Sequence, residues 1–260
     1  MGEITYLLSA LSGVLVGFTL GLVGGGGSIL AVPLMVYVVG VKNPHLAIGT
    51  SALAVAANAL AGLASHARAH NVNWRCGGAY ALAGVLGAFA GSSAGKAVDG
   101  QHLLLLFALL MLVIAALMFR NRGQEGVEGV VCNRDNFPKV TAFGFGTGIL
   151  SGFFGIGGGF LIVPGLVAST AMPVGRAVGT SLVAVTAFGL TTAFNYALSG
   201  LVDWALAGTF IAGGVLGSIG GTALSRRMAA AKGQLSTVFA GLVVVVAVYM
   251  IWQGLARLGI

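Results

Sequence analysis

Two glycine clusters are the residues of this chain best suited to chemistry, and the chemistry they suit is capture of an anion by backbone. Residues 17–33 read GFTLGLVGGGGSILAVP and residues 148–164 read GILSGFFGIGGGFLIVP, so Gly17, Gly21, Gly24, Gly26, Gly27 and Pro33 match Gly148, Gly152, Gly155, Gly157, Gly158 and Pro164 at a constant offset of 131. Glycine at this density breaks helices. Half-helices beginning near Ser28 and Gly159 then turn free N–H groups and a positive dipole end toward the break. Such termini bind anions without a cationic side chain, and glycine allows both a positive φ in a nest of donors and close approach of a ligand. Gly24, Gly25, Gly26, Gly27 and Ser28 make up the first candidate half-site, and Gly155, Gly157, Gly158 and Gly159 the second.

Four hydroxyls are the side-chain candidates. Thr50 and Ser51 follow Gly49, and Thr180 and Ser181 follow Gly179, at an offset of 130. They could donate to a bound oxyanion or bond back to their own helix. Asn58, Asn195 and Tyr196 lie in apolar surroundings, where an interhelical hydrogen bond is the ordinary role. The carboxylates Glu3, Asp99, Glu125, Glu128, Asp135 and Asp203 all fall at segment ends or in loops, which argues against a cation site or a carboxylate proton relay within the membrane. His45, His66, His70 and His102 also fall near segment ends, Trp74 and Trp204 read as interfacial anchors, and Arg176 stands where it would either steer anions or simply mark the interface. Cys76 and Cys132 have no ligand spacing and are assigned no role. Without a Walker motif, GxSxG elbow, HExxH or a dinucleotide fingerprint in its proper setting, no catalytic residue, metal or cofactor is expected, and the chain does not read as an enzyme.

Interrupted backbone of this kind needs elements that can hold it inside a bilayer. The 260 residues are 57% hydrophobic and 7% charged, against about 25% charged for a soluble domain. The apolar runs have helix length, which favours an all-α integral membrane bundle over an outer-membrane barrel. The net charge of +7 comes from basic residues scattered through short loops, so the partner is the lipid bilayer and not nucleic acid. Glu3 precedes the first apolar stretch and no cleavage pattern follows it, so a removable signal peptide is not expected.

Five apolar segments are expected in each half, near 4–23, 28–40, 46–66, 74–96 and 102–120, then 139–155, 159–170, 175–198, 204–225 and 234–256. The second of each set spans only about 18–20 Å of a roughly 30 Å hydrocarbon core, so each glycine break is the tip of a dipping hairpin or a joint between partial spans. Unpaired backbone at that depth is tolerated only beside protein or a solvated cavity, and paired breaks in two halves point to a transport site. The correspondence continues: Trp74 falls on Trp204, and Gly84, Gly87 and Gly91 fall on Gly214, Gly217 and Gly221 at offset 130. These glycines, with Gly213 and Gly220, read as helix-packing positions. The expected organisation is a first membrane repeat over 1–120, a cytoplasmic polar linker over 121–138 and a second repeat over 139–260. If each break reverses the chain, the repeats are inverted, and one side collects ten basic residues against Lys42, Lys96 and Arg257 on the other. The parallel alternative divides them seven to six, so the positive-inside rule prefers inversion, with both termini outside.

The pairing of GxxxGxxGxGGGxxxxP at 148–164 with AVGTS at 177–181, and their degenerate first copies at 17–33 and 47–51, resembles the TauE/SafE sulfite exporter family, also called the toluene sulfonate uptake permease family. The resemblance covers nearly the whole chain. It implies a secondary carrier in the bacterial inner membrane for a small sulfur-containing anion such as sulfite, thiosulfate, sulfoacetate or another organosulfonate. Ile156 in place of Gly25, and Ser28 in place of Gly159, would give the two half-sites unequal donors. Rival readings are a passive anion channel and a non-conducting membrane assembly subunit. Self-association into a homo-oligomer is left open.

Overall fold

The computed structural model describes residues 3–120, 132, 136–227 and 232–258, and among these there is no strand. The first half comprises α1 (Glu3–Val23), a 3-10 segment (Gly24–Leu30), α2 (Ala31–Pro33), a π-helical turn (Leu34–Val38), α3 (Pro44–Arg68), α4 (Trp74–Ala97) and α5 (Gly100–Arg120). The second comprises α6 (Phe137–Phe154), α7 (Gly159–Thr170), α8 (Val174–Ala197), α9 (Trp204–Arg227) and α10 (Lys232–Leu258). Five described helices, α1, α3, α5, α8 and α9, are long and apolar enough to cross a membrane. Large apolar side chains such as Leu82, Leu86, Leu216 and Ile219 point outward from the bundle, as expected where the surrounding solvent is lipid.

Polar residues at the loop ends start the long helices. The Asn43 carboxamide accepts from the N–H groups of His45 and Leu46, with Pro44 in the first turn. Asn73 accepts from Cys76, Asp99 from Gln101 and His102, and Asp203 from Ala205 and Leu206. Each is an N-cap supplying an acceptor to donors that the helix leaves orphaned. That accounts for why Asp99 and Asp203 sit outside the apolar segments.

Small residues set the packing. Gly13, Gly17 and Gly21 of α1 lie directly against the backbone of Phe210, Gly214 and Ser218 of α9, so these helices run parallel. Gly144, Gly148 and Gly152 of α6 lie in the same way against Tyr80, Gly84 and Ala88 of α4. A Cβ at any of these positions would strike the facing main chain. As the expected segments 4–23 and 139–155 imply, α1 continues through Gly17 and Gly21, α6 continues through Gly148 and Gly152, and only the glycines from Gly24 and Gly155 onward leave the α-helix. Among the expected packing glycines Gly220 is the exception, with only Phe18 Cδ2 near its Cβ position at 3.8 Å.

The third helical pair crosses the middle of the bundle. Gly49 lies against Tyr196, Gly189 against Ala52 and Ala56, and Gly62 against Leu182, so α3 and α8 run antiparallel. The two cysteines form a disulfide, Cys76–Cys132, that ties the polar linker to the first turn of α4. This corrects the assignment of no role. Their separation of 56 residues carries no motif, and the bond arises from the fold alone.

Candidate functional site

The second glycine break is a true interruption. α6 ends at Phe154, and Gly155, Gly157 and Gly158 take φ of +68°, +66° and +65°. The Gly155 and Ile156 N–H groups turn back to the Gly152 and Ser151 carbonyls and close α6, as left-handed C-terminal caps do. α7 then starts with Gly158 as its N-cap, and the Leu161 and Ile162 N–H groups donate to the Gly158 carbonyl. No backbone carbonyl among the described residues accepts from Gly157, Gly158, Gly159 or Phe160. Four consecutive donors thus face the break at the positive end of α7, in a buried stretch of chain.

Side chains crowd this loop. A Cβ on Gly157 would lie 2.9 Å from Val55 Cγ1 of α3 and 3.4 Å from Val185 Cγ1 of α8, which places Gly157 over the α3/α8 crossing. Gly155 lies against Ile48. A Cβ on Gly158 would fall 2.8 Å from Ser151 Oγ, a buried hydroxyl without a hydrogen-bond partner. Ile156 is fully buried.

The first glycine run is not an interruption of the same kind, which corrects the expectation of a half-helix with free N–H groups beginning near Ser28. Gly24–Leu30 winds as a 3-10 segment continuing from α1, and Gly27 packs against Thr19 and Leu20. Ser28 is buried. This segment packs against α7, the helix that the second glycine break starts, and against α8.

The four predicted hydroxyls take two roles. Ser51 donates to the Ile48 carbonyl and Ser181 to Val178, within their own helices. Thr50 Oγ1 instead accepts the Asp203 N–H at 2.9 Å, and Thr180 Oγ1 accepts the Asn73 N–H at 3.0 Å, each at the residue capping a helix of the other half. A hydroxyl that accepts keeps a proton to donate, and neither threonine donates to an acceptor among the described residues. Asn195 makes interhelical bonds to Ser92 and Ser93 of α4. The Asn58 carboxamide and the Tyr196 hydroxyl are buried without partners. Sequence reasoning gave no sign of Ser151, because its counterpart in the first motif is Leu20.

The model of the sulfite exporter TauE/SafE family matches residues 9–250. The chain belongs to that family. As a member of the TauE/SafE family it is a membrane transporter, which is not an enzyme class. It is 53% identical over 253 residues to a probable membrane transporter protein of Xylella fastidiosa strain 9a5c, covering 95% of each chain. It is also 30% identical over 194 residues to the probable membrane transporter protein MJ0441 of Methanocaldococcus jannaschii, covering 69% of each chain. To the probable membrane transporter protein YunE of Bacillus subtilis strain 168 it is 25% identical over 245 residues, covering 86% of this chain and 90% of the relative. No solved structure matches the chain.

Proposed function

We propose that this TauE/SafE transporter is a secondary carrier that moves a small sulfur-containing anion (sulfite, thiosulfate, sulfoacetate or another organosulfonate) across the bacterial inner membrane by alternating access. The anion is held at Gly155–Gly159, with Gly24–Ser28 of the segment packed on α7 as the other wall. The observation that carries this reading is the set of four N–H groups, Gly157 to Phe160, left without backbone acceptors at the buried start of α7 beside the unpartnered Ser151 hydroxyl. Buried donors without acceptors are costly, and an oxyanion supplies several acceptor atoms at once. Thr50 and Thr180, each with a proton to give, flank the site toward opposite ends of the bundle, beside the Asp203 and Asn73 caps, and are donors to the anion on its way in or out.

The halves act as inverted repeats. This is supported by the antiparallel crossing of α3 and α8, which lie at offset 130 from each other, and by the way the α1–α9 contacts recur between α6 and α4 at matching positions. Each of those parallel pairs takes one helix from each half, joined by backbone contact too close to slide. The pairs move as rigid bodies about the break, which exchanges exposure of the anion between faces.

Counterflow in liposomes tests this. Wild-type protein should show uptake of labelled sulfite or sulfoacetate stimulated by unlabelled anion on the opposite side. Gly157→Val, which forces a side chain into left-handed backbone against Val55, should insert into the membrane yet lose more than about 90% of the flux. Normal flux in this variant would remove Gly157 from the site, and flux without trans-stimulation would make the protein a channel.

A further inference from the structure

The end of the bundle away from the linker holds a polar cluster that the glycine site leaves unused. Tyr196, near the end of α8, is fully buried, yet its hydroxyl has no hydrogen-bond partner. His45, in the first turn of α3, lies with its ring centroid 6.3 Å from that of Tyr196, and its Nδ1 is also buried without a partner. Over the Tyr196 ring sits the Lys96 ammonium of α4, 5.9 Å from the centroid. Lys96 donates to the Asn195 carbonyl and Oδ1 at 2.9 Å and to Ser199 Oγ at 2.8 Å. All three acceptors are neutral, and no carboxylate among the described residues pairs with this charge; Asp99 instead meets His102 Nδ1 at 3.1 Å.

We infer that Lys96, Tyr196 and His45 line a second anion subsite, an antechamber through which the passenger reaches or leaves the glycine breaks on the face opposite the linker. Geometry connects the two sites. Three residues along α3 from His45 is Ile48, whose side chain lies against Gly155, and one further stretch along the same face is Val55, against Gly157. Three helical residues advance about 4.5 Å, so one turn of helix separates the cluster from the first glycine of the break, with Ile48 as the barrier between them. The ligand is a small oxyanion. The ammonium supplies charge that neutral acceptors do not cancel, the phenol supplies an O–H with nowhere to donate, and the imidazole adds a polar nitrogen. A structural reading leaves the hydroxyl and Nδ1 unexplained, because a buried polar atom without a partner only costs stability.

This inference rests on the transport reading above, and the experiment separates the two. Tyr196→Phe removes only the partnerless hydroxyl, so the fold should be as stable as wild type or more so in detergent thermal unfolding. Apparent KM for sulfite or sulfoacetate, measured in vesicles of both orientations, should rise about tenfold, as expected for loss of one hydrogen bond to a charged group. The rise should occur only when the anion is offered from the face opposite the linker. Lys96→Gln should raise KM on that same face by at least as much and flatten its dependence on ionic strength. Wild-type KM on both faces in Tyr196→Phe overturns the subsite even if Lys96→Gln misfolds. Absence of sulfur-oxyanion transport in the wild type overturns the carrier reading itself.

Discussion

At Gly155 two constraints fall on one atom: φ is +68° and the Cβ position is occupied by Ile48. Gly200 has the same φ of +68° with nothing within 4 Å. Left-handed backbone costs a non-glycine residue about 1–2 kcal/mol, and overpacking adds about 1–3 kcal/mol. Gly200→Ala should therefore lose about 1 kcal/mol in thermal unfolding, and Gly155→Ala roughly twice to three times as much. Equal losses would mean that Ile48 yields freely and does not brace the break. Asp99 gives a pH-dependent companion. Hydrogen bonds from the His102 and Gln101 backbone N–H groups, and from the His102 side chain, hold its carboxyl below its ordinary value of 3.8. A lowered folded value means that the cap stabilises α5 fully above the ordinary value and loses that effect as pH falls through the depressed one. Asp99→Asn should remove this acid-side loss, seen as a smaller stability difference between neutral pH and pH near 3. The capping role of Asp99 was hidden in the sequence because a loop carboxylate looks the same whether or not it meets helix N–H groups. The partnerless state of the Tyr196 and Ser151 hydroxyls was hidden for the opposite reason: hydroxyls in apolar sequence ordinarily find an interhelical partner, and these two do not.

At the scale of elements the sequence was far more readable. Apolar length and polar punctuation place all ten expected segments within a few residues of the observed helices, with the shortness of the second in each half included. What the sequence did not resolve was the role of the leading glycines of each motif, Gly17, Gly21, Gly148 and Gly152, where a glycine that packs and a glycine that breaks look alike. Both appear as a dense run, and the distinction depends on whether a neighbouring backbone faces the residue. Gly148 faces the Gly84 backbone, whereas Gly146, two residues away on the same helix, meets nothing within 4 Å. Gly148→Leu should push α6 off α4 and cost about 3 kcal/mol, the upper end for overpacking. Gly146→Leu should be close to neutral and gain slightly in helix propensity. Equal destabilisation would mean that α4 and α6 do not pack through this stripe. The first run carries the same ambiguity: Gly24–Gly27 keep a helical path as a 3-10 segment, and glycine permits that path as readily as a left-handed one, so its density alone does not decide between them.

For the whole molecule, two physical arguments bear on which face the linker occupies, and they pull in opposite directions. Loop charge argues for the cytoplasm, because the inverted arrangement gathers ten basic residues on the linker's side against three on the other. The Cys76–Cys132 bond ties the same linker to α4, and disulfides persist chiefly on the oxidising side of a membrane. The charge argument sums over many loops, each short enough to count, whereas the disulfide requires only that two thiols be adjacent. Adjacency fixes what the pair can form and leaves the compartment to decide whether it forms. With the linker cytoplasmic, acid-quenched growing cells should yield both cysteines as free thiols when alkylated after denaturation, and a diffusible oxidant should convert them to the bonded pair without loss of the helical fold. Cysteines already bonded in untreated cells would place the linker on the oxidising face. Every loop would then change sides, and the Lys96–Tyr196–His45 end would open to the cytoplasm.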